Sequence, residues 1–302
     1  MPVVDADTHV DENEDTWAYL DPAAARFRPT TVLPAGDGPG GTRPGYNRYW
    51  LVDGRLRVRR VRDDVRTGTT QATRELHDVP ARLRHMDELG VDVQVLYPTL
   101  FLSGLTHRPE VERALCLSYN RWLAERCAQS GGRLRWVAVL PLLDMDAALA
   151  ELQFAYDHGA CGVLKKGLES GGRPASDPYF FPLYEESARR NLPICLHLGS
   201  GDPEAQETGP GAAAGLICST FPVLDAFYNL VLDGVPNRFP SLRFGFIEAG
   251  ATWVGYLLTL LTARRERMAW TGTFELKRDL FRESRFYVAC QTVDDLPYVL
   301  RF

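Results

Sequence analysis

No Cys-x-x-Cys pair occurs in this 302-residue sequence, and its six cysteines, at 116, 127, 161, 195, 218 and 290, are scattered. That spacing argues for buried, reduced thiols rather than a disulfide framework. Three of them, Cys161, Cys195 and Cys290, fall in apolar runs that read as strands. No uninterrupted apolar run approaches the roughly 20 residues that span a bilayer. No basic segment followed by an apolar stretch opens the chain. A cytoplasmic protein with no membrane partner is therefore expected. Basic charge is not in excess either: 34 Lys and Arg stand against 39 Asp and Glu, a formal charge of −5. With a pI near 5.7, the chain has no basic footprint for a polyanion, so nucleic acid is not an expected partner. The 24% charged and 45% hydrophobic content excludes disorder and a coiled coil. The length suffices for a sizeable core without a disulfide or metal staple.

What is present is an alternation. Asp78 reads as an N-cap, Val79, Leu83, Met86 and Leu89 recur at helical spacing, Gly90 stops the helix, and Val91 to Tyr97 reads as a buried strand. The unit then repeats. A helix through Val111, Leu115, Tyr119 and Trp122 precedes a strand from Leu134 to Leu140, and a helix capped by Asp144 precedes a strand from Cys161 to Leu164. Asp177-Pro178 opens a further helix ahead of Ile194 to Leu198, and further units end in the strands Leu242 to Ile247 and Phe286 to Cys290. With Val3 to Ala6, this makes seven strand segments. Alternating helices and short, wholly apolar strands predict a parallel sheet of the TIM (β/α)8-barrel type, one domain over 1–302.

Residues 10–77 break the rhythm with Pro, Gly and Arg and read as an insertion after the first strand. Within it, Tyr49 to Val52 and Arg55 to Val58 flank Asp53-Gly54, a two-residue hairpin signal. The arginines at 55, 57, 59, 60, 62 and 66 are expected to form a solvated face pairing with Asp63 and Asp64.

Chemistry concentrates at strand ends. In Asp5-Ala6-Asp7-Thr8-His9, plain alternation places Asp5, Asp7 and His9 on one face. An acid and an imidazole two residues apart can chelate a divalent ion, or Asp7 can simply cap the following turn. His197 ends the run Leu192 to His197. In a barrel the strand-terminal side chains converge on one face, so His197 can join Asp7 and His9. Glu248 ends the next strand and reads either as a proton-handling carboxylate or as a first-turn acid. Lys165 and Lys166 end the fourth strand, where one can meet a substrate carboxylate and both can snorkel to water.

Together with Gln94 to Thr99, Asn120 to Glu125 and Phe239 to Leu242 running into Phe246 to Gly250, these residues resemble the amidohydrolase-related family, in particular its aminocarboxymuconate-semialdehyde decarboxylase-like branch. The resemblance covers nearly the whole chain. It implies a metal-dependent TIM barrel with Asp7, His9 and His197 as ligands to one Zn²⁺ or Mn²⁺. Glu248 would then stand at the catalytic acid/base position that many members fill with a histidine, and Lys165 and Lys166 would be substrate-binding residues. The implied activity is nonoxidative decarboxylation, or hydrolysis, of a small carboxylated aromatic or unsaturated compound. A homodimer is the protein assembly in view. The family's last strand ends in a ligating aspartate, and no such stretch precedes Phe302. The expectation is therefore a barrel lacking its eighth strand, from a chain that continues or from a truncated relative. A catalytically inert binding barrel is the alternative. A closed barrel would instead turn attention to Asp294 or Asp295 as the missing ligand.

Overall fold

The computed structural model describes residues 1–33, 48–59, 62–204, 215–271 and 276–302. Arg60 of the arginine cluster, like part of the 10–77 insertion, lies outside the described residues. Two compact units divide the chain, Met1–Cys161 and Gly162–Phe302.

The first unit holds β1 (Val4–His9), β2 (Thr30–Val32), β3 (Arg48–Val52), β4 (Arg55–Arg59), β5 (Val93–Tyr97) and β6 (Leu134–Ala138). Strands β1, β5 and β6 pair in that order, all parallel. The connections are helical, as the punctuation predicts. Asp78 accepts the Ala81 N–H to start a helix over Val79–Leu89, and Gly90 ends it at φ 66°, a left-handed position that suits glycine. The helix Pro109–Ala128 buries Val111, Leu115, Tyr119 and Trp122. One of its polar residues is structural: buried Asn120 donates to the Val139 carbonyl at 2.8 Å and accepts the Val139 N–H at 3.1 Å, fixing the chain just after β6. The expected hairpin forms between β3 and β4, with Asp53 at φ 48° and Gly54 at φ 79°, the pair of positive angles that a two-residue turn requires. β2 adds a third antiparallel strand that periodicity did not foretell. Trp50 of β3 meets Trp17 edge-on at 5.9 Å, which seats this small sheet on the segment after β1.

β1 departs from plain alternation. Its register runs Asp5 opposite Gln94 but Thr8 opposite Leu96, so two residues, Ala6 and Asp7, stand against one, Val95. This bulge shifts the phase of the strand. Asp5 consequently accepts from the Gln94 side chain at 3.2 Å, while Arg82 bonds Gln94 at 2.9 Å and the Thr8 hydroxyl at 3.2 Å. Asp5 thus shares its surroundings with Thr8, and the expectation that it lies on one face with Asp7 and His9 is corrected.

β7 (Ala160–Lys165) straddles the boundary between the units. The second unit continues with the short antiparallel pair β8 (Leu168–Glu169) and β9 (Arg173–Pro174), then β10 (Ile194–His197), β11 (Phe244–Ile247) and β12 (Phe286–Val288). β7, β10, β11 and β12 pair in that order, all parallel. Phe227, on the helix Phe221–Leu232, packs against Phe246 of β11, Phe286 of β12 and Trp253 at ring distances of 5.3, 5.6 and 5.1 Å. This aromatic cluster holds the last two strands against their helices. Cys290, expected in a buried strand, is exposed because β12 ends at Val288; none of the six cysteines forms a disulfide.

Seven parallel strands connected by helices give the TIM-barrel type of α/β fold that the sequence predicts, with no eighth parallel strand among the described residues. No helix among the described residues is long and apolar enough to cross a membrane.

Candidate active site

Two groups of donors stand at the carboxyl ends of parallel strands, one in each unit. In the first unit, His9 Nε2 lies 3.8 Å from Asp7 Oδ1. The other ring nitrogen, Nδ1, is 2.9 Å from the Pro98 carbonyl oxygen. A carbonyl only accepts, so the neutral imidazole carries its proton on Nδ1 and turns a lone pair at Nε2 toward the carboxylate. The Pro98 carbonyl is held in turn. The N–H of the same peptide unit, at Thr99, donates to Glu12 Oε1 at 3.1 Å, and the Leu100 N–H donates to Glu12 Oε2 at 2.9 Å. Glu12 is 3% exposed. Burial pushes its carboxyl up from 4.5 to about 7, against the lowering effect of those backbone N–H groups.

In the second unit the same arrangement recurs. Fully buried His197 places Nδ1 3.0 Å from the Leu198 carbonyl and Nε2 3.4 Å from Glu248 Oε2. A lone pair on Nε2 facing a carboxylate oxygen sets two acceptors against each other, an arrangement that a proton or a cation stabilises. Asp7 and the two imidazole Nε2 atoms are donors of the kind that suit Zn²⁺ or Mn²⁺, while Glu248 beside His197 is a carboxylate placed to hold a proton. In each unit, a backbone carbonyl fixes the ring in the way that partners of metal-bound histidines do.

Glu248 does not lie in the first turn of a helix: the next one runs over Trp253–Met268. It sits just past β11 with φ 57°, a left-handed conformation that strains a side chain of this length by roughly 1–3 kcal/mol. Two neighbours hold the strained loop. Gln291 Nε2 donates to the Glu248 carbonyl at 3.1 Å. Asp294 accepts the N–H groups of Ala251, Thr252 and Gln291 and the Thr252 hydroxyl, at 3.0, 3.1, 2.7 and 2.7 Å. Burial pushes the Asp294 carboxyl up, but these hydrogen bonds outweigh it and hold the group below the usual carboxylate range. Asp294 is therefore a loop anchor, and Asp295 caps the short helix Leu296–Val299 through the Tyr298 N–H, so both carboxylates have structural work.

The two lysines meet Glu169 and part company in their surroundings. Lys165 pairs in register with Leu196, so it takes the strand face opposite to that of the neighbouring His197. Its ammonium lies fully buried, 3.8 Å above the Phe180 ring and 3.5 Å from Glu169 Oε1. Burial lowers its pKa to about 8, while the Glu169 charge pulls the other way. Lys166 is partly exposed, its ammonium 3.6 Å from Glu169 Oε2 and its N–H 2.7 Å from Oε1. Within the units, then, the structure brings Asp7 to His9, His197 to Glu248, and both lysines to Glu169. Sequence reading missed Glu12, Glu169, Gln291 and the Pro98 carbonyl. The first three sit in loops or short strands without periodicity, and no residue type marks a backbone carbonyl.

The amidohydrolase family model matches residues 4–279. The chain is 34% identical over 134 residues to a gamma-resorcylate decarboxylase from Rhodococcus jostii, a match covering 41% of this chain and 40% of that protein. It thus spans well under half the length of this curated relative. Among solved structures, an amidohydrolase from Mycobacterium avium subsp. paratuberculosis K-10 superposes with a TM-score of 0.79 at 19% identity, covering 99% of this chain and 85% of that one. A 5-carboxyvanillate decarboxylase from Novosphingobium aromaticivorans, complexed with manganese and 4-hydroxy-3-methoxy-5-nitrobenzoic acid, has a TM-score of 0.56 at 19% identity, covering 72% of this chain and 64% of that one. These two structures are alike in fold.

Proposed function

Because the chain belongs to the amidohydrolase family, we propose that it is a metal-dependent nonoxidative decarboxylase of a small carboxylated aromatic compound. The observation that carries this reading is the repeated donor geometry, an imidazole fixed through Nδ1 to a backbone carbonyl with Nε2 beside a carboxylate. The similarity to a gamma-resorcylate decarboxylase supports the reaction and the substrate class.

In this reading Asp7, His9 and His197 hold one divalent ion, Zn²⁺ or Mn²⁺. When bound, it supplies Lewis-acid polarisation of a substrate oxygen beside the carboxylate. Three protein ligands suffice for a catalytic zinc. Glu248 handles the proton: Oε2 delivers it to the ring carbon that bears the carboxylate, the bond from that carbon to the carboxylate breaks, and its electron pair restores the ring as carbon dioxide leaves. The strained backbone of Glu248 keeps this carboxyl aimed, with Gln291 and Asp294 holding its loop. Of the two lysines, Lys166 is assigned to the substrate carboxylate, since Lys165 is enclosed by Phe180 and Glu169. The substrate and its product are the only partners this chemistry requires. No observation favours the inert binding barrel.

The test is carbon dioxide release, compared with water incorporation, from gamma-resorcylate, 5-carboxyvanillate and related acids with Mn²⁺ or Zn²⁺ present. Glu248→Gln should lower turnover by about 100-fold or more with metal content unchanged. The paired changes His9→Ala and His197→Ala should abolish bound metal. Full turnover in Glu248→Gln removes that residue from the mechanism, and water incorporation without carbon dioxide release replaces the decarboxylase reading with a hydrolase.

A further inference from the structure

We propose that Glu12 is a positioning residue for His9, acting through the single peptide unit between Pro98 and Thr99. The inference rests on the reading of His9 as a metal ligand. The peptide is gripped at both ends: its carbonyl lies 2.9 Å from His9 Nδ1, and its N–H donates to Glu12 Oε1 at 3.1 Å. The second carboxylate oxygen takes the Leu100 N–H at 2.9 Å, so Glu12 clamps two successive amides and cannot turn without releasing one. The Thr99 hydroxyl adds a bond to the Val10 carbonyl at 2.8 Å, tying the same turn to the strand end that carries His9.

Two consequences follow for the imidazole. The clamp fixes where the carbonyl oxygen stands, and so sets the plane of the ring and the direction of its Nε2 lone pair. A buried carboxylate accepting from the N–H of an amide also polarises that amide, making its carbonyl a stronger acceptor. A stronger acceptor at Nδ1 makes Nε2 a more basic ligand. Glu12 therefore acts on the metal-binding nitrogen without touching it, and its contribution lies in ring orientation and tautomer rather than in coordination.

The experiment is Mn²⁺ titration of the metal-free protein, followed by electron paramagnetic resonance, for wild type, Glu12→Gln and Glu12→Asp. Glutamine keeps the length but sets an NH2 group against one of the two backbone N–H groups. Aspartate keeps the charge but is one methylene too short to hold both. Each variant should bind Mn²⁺ roughly 10- to 100-fold more weakly, the scale seen when partners of metal-bound histidines are removed, with the circular dichroism spectrum unchanged. A folded variant of either kind with wild-type Mn²⁺ affinity overturns the proposal. Nitrogen-15 resonances of the imidazoles at mildly alkaline pH give a readout that needs no metal. His9 should be the Nδ1–H tautomer in wild type and a mixture in the variants, and an unchanged tautomer overturns the proposal. If the wild type takes up no divalent ion, the metal reading fails while the tautomer measurement still decides the link between Glu12 and His9. Should Glu12→Gln not fold, Glu12→Asp carries both measurements.

Discussion

Glu12 shows how a single carboxyl can be fixed by its surroundings and tuned by them. Its burial raises the group from 4.5 to about 7, so between these values the folded chain keeps a proton that the unfolded chain has released. The resulting contribution to stability is complete below about pH 4.5 and is lost as pH rises through about 7, a change on the order of 3 kcal/mol. Wild type should therefore lose stability over that window relative to Glu12→Gln, as read from urea midpoints; parallel pH profiles for the two proteins would contradict it. At this scale the sequence was partly readable. Asp7, His9, His197 and Glu248 declare themselves because polar residues at the ends of apolar strands are few and chemically distinctive. Glu12 does not, because a glutamate in an irregular segment carries no periodic signal and its burial depends on the turn at Thr99 and Leu100 from a distant part of the chain. The phase shift in β1 was equally hidden, since a bulge depends on pairing with β5 and leaves Asp5 looking like a third member of the donor set.

Strands and helices were more legible than the residues that join them. Caps at Asp78 and Asp144, breaks at Gly90 and Leu192-Pro193, and the hairpin turn at Asp53-Gly54 all fall where the elements begin and end. These signals act through local backbone sterics, which a sequence exposes directly. The anchoring of the loop between β11 and the helix Trp253–Met268 is different, because its keystone, Asp294, comes from beyond β12. Asp294→Ala leaves the N–H groups of Ala251 and Thr252 without that acceptor at the helix entrance, and should destabilise the chain by about 1–2 kcal/mol. Urea unfolding measures the loss, and an unchanged midpoint would mean that the loop is held by other contacts. Asp294→Asn retains one acceptor oxygen and should fall between the two.

For the molecule as a whole, the alternation of apolar strands with capped helices carried the fold class, because it is written into almost every stretch of the chain outside residues 10–77. The division into two units, Met1–Cys161 and Gly162–Phe302, was not written there, since it reflects how contacts cluster in space. Binding of one ion to the native state alone should raise the unfolding temperature with metal concentration. At 100 times the dissociation constant, Mn²⁺ should add about 2.7 kcal/mol, a shift of several degrees for a chain of this size. A chelator should remove that shift, and a melting temperature indifferent to both would argue against the ion. The doubled residues in β1 also bear on how the gene can change length. Ala6 is slack in the strand: a deletion there takes up the spare residue and leaves Thr8 and His9 on their present sides. A deletion of Thr8, equally short, would also take up the spare residue and keep His9 opposite Tyr97, but it would bring Asp7 into the place of Thr8, on the side of Arg82. Two lesions of the same size, two codons apart, would thus leave one descendant with its imidazole beside Asp7 and the other with that carboxylate turned away.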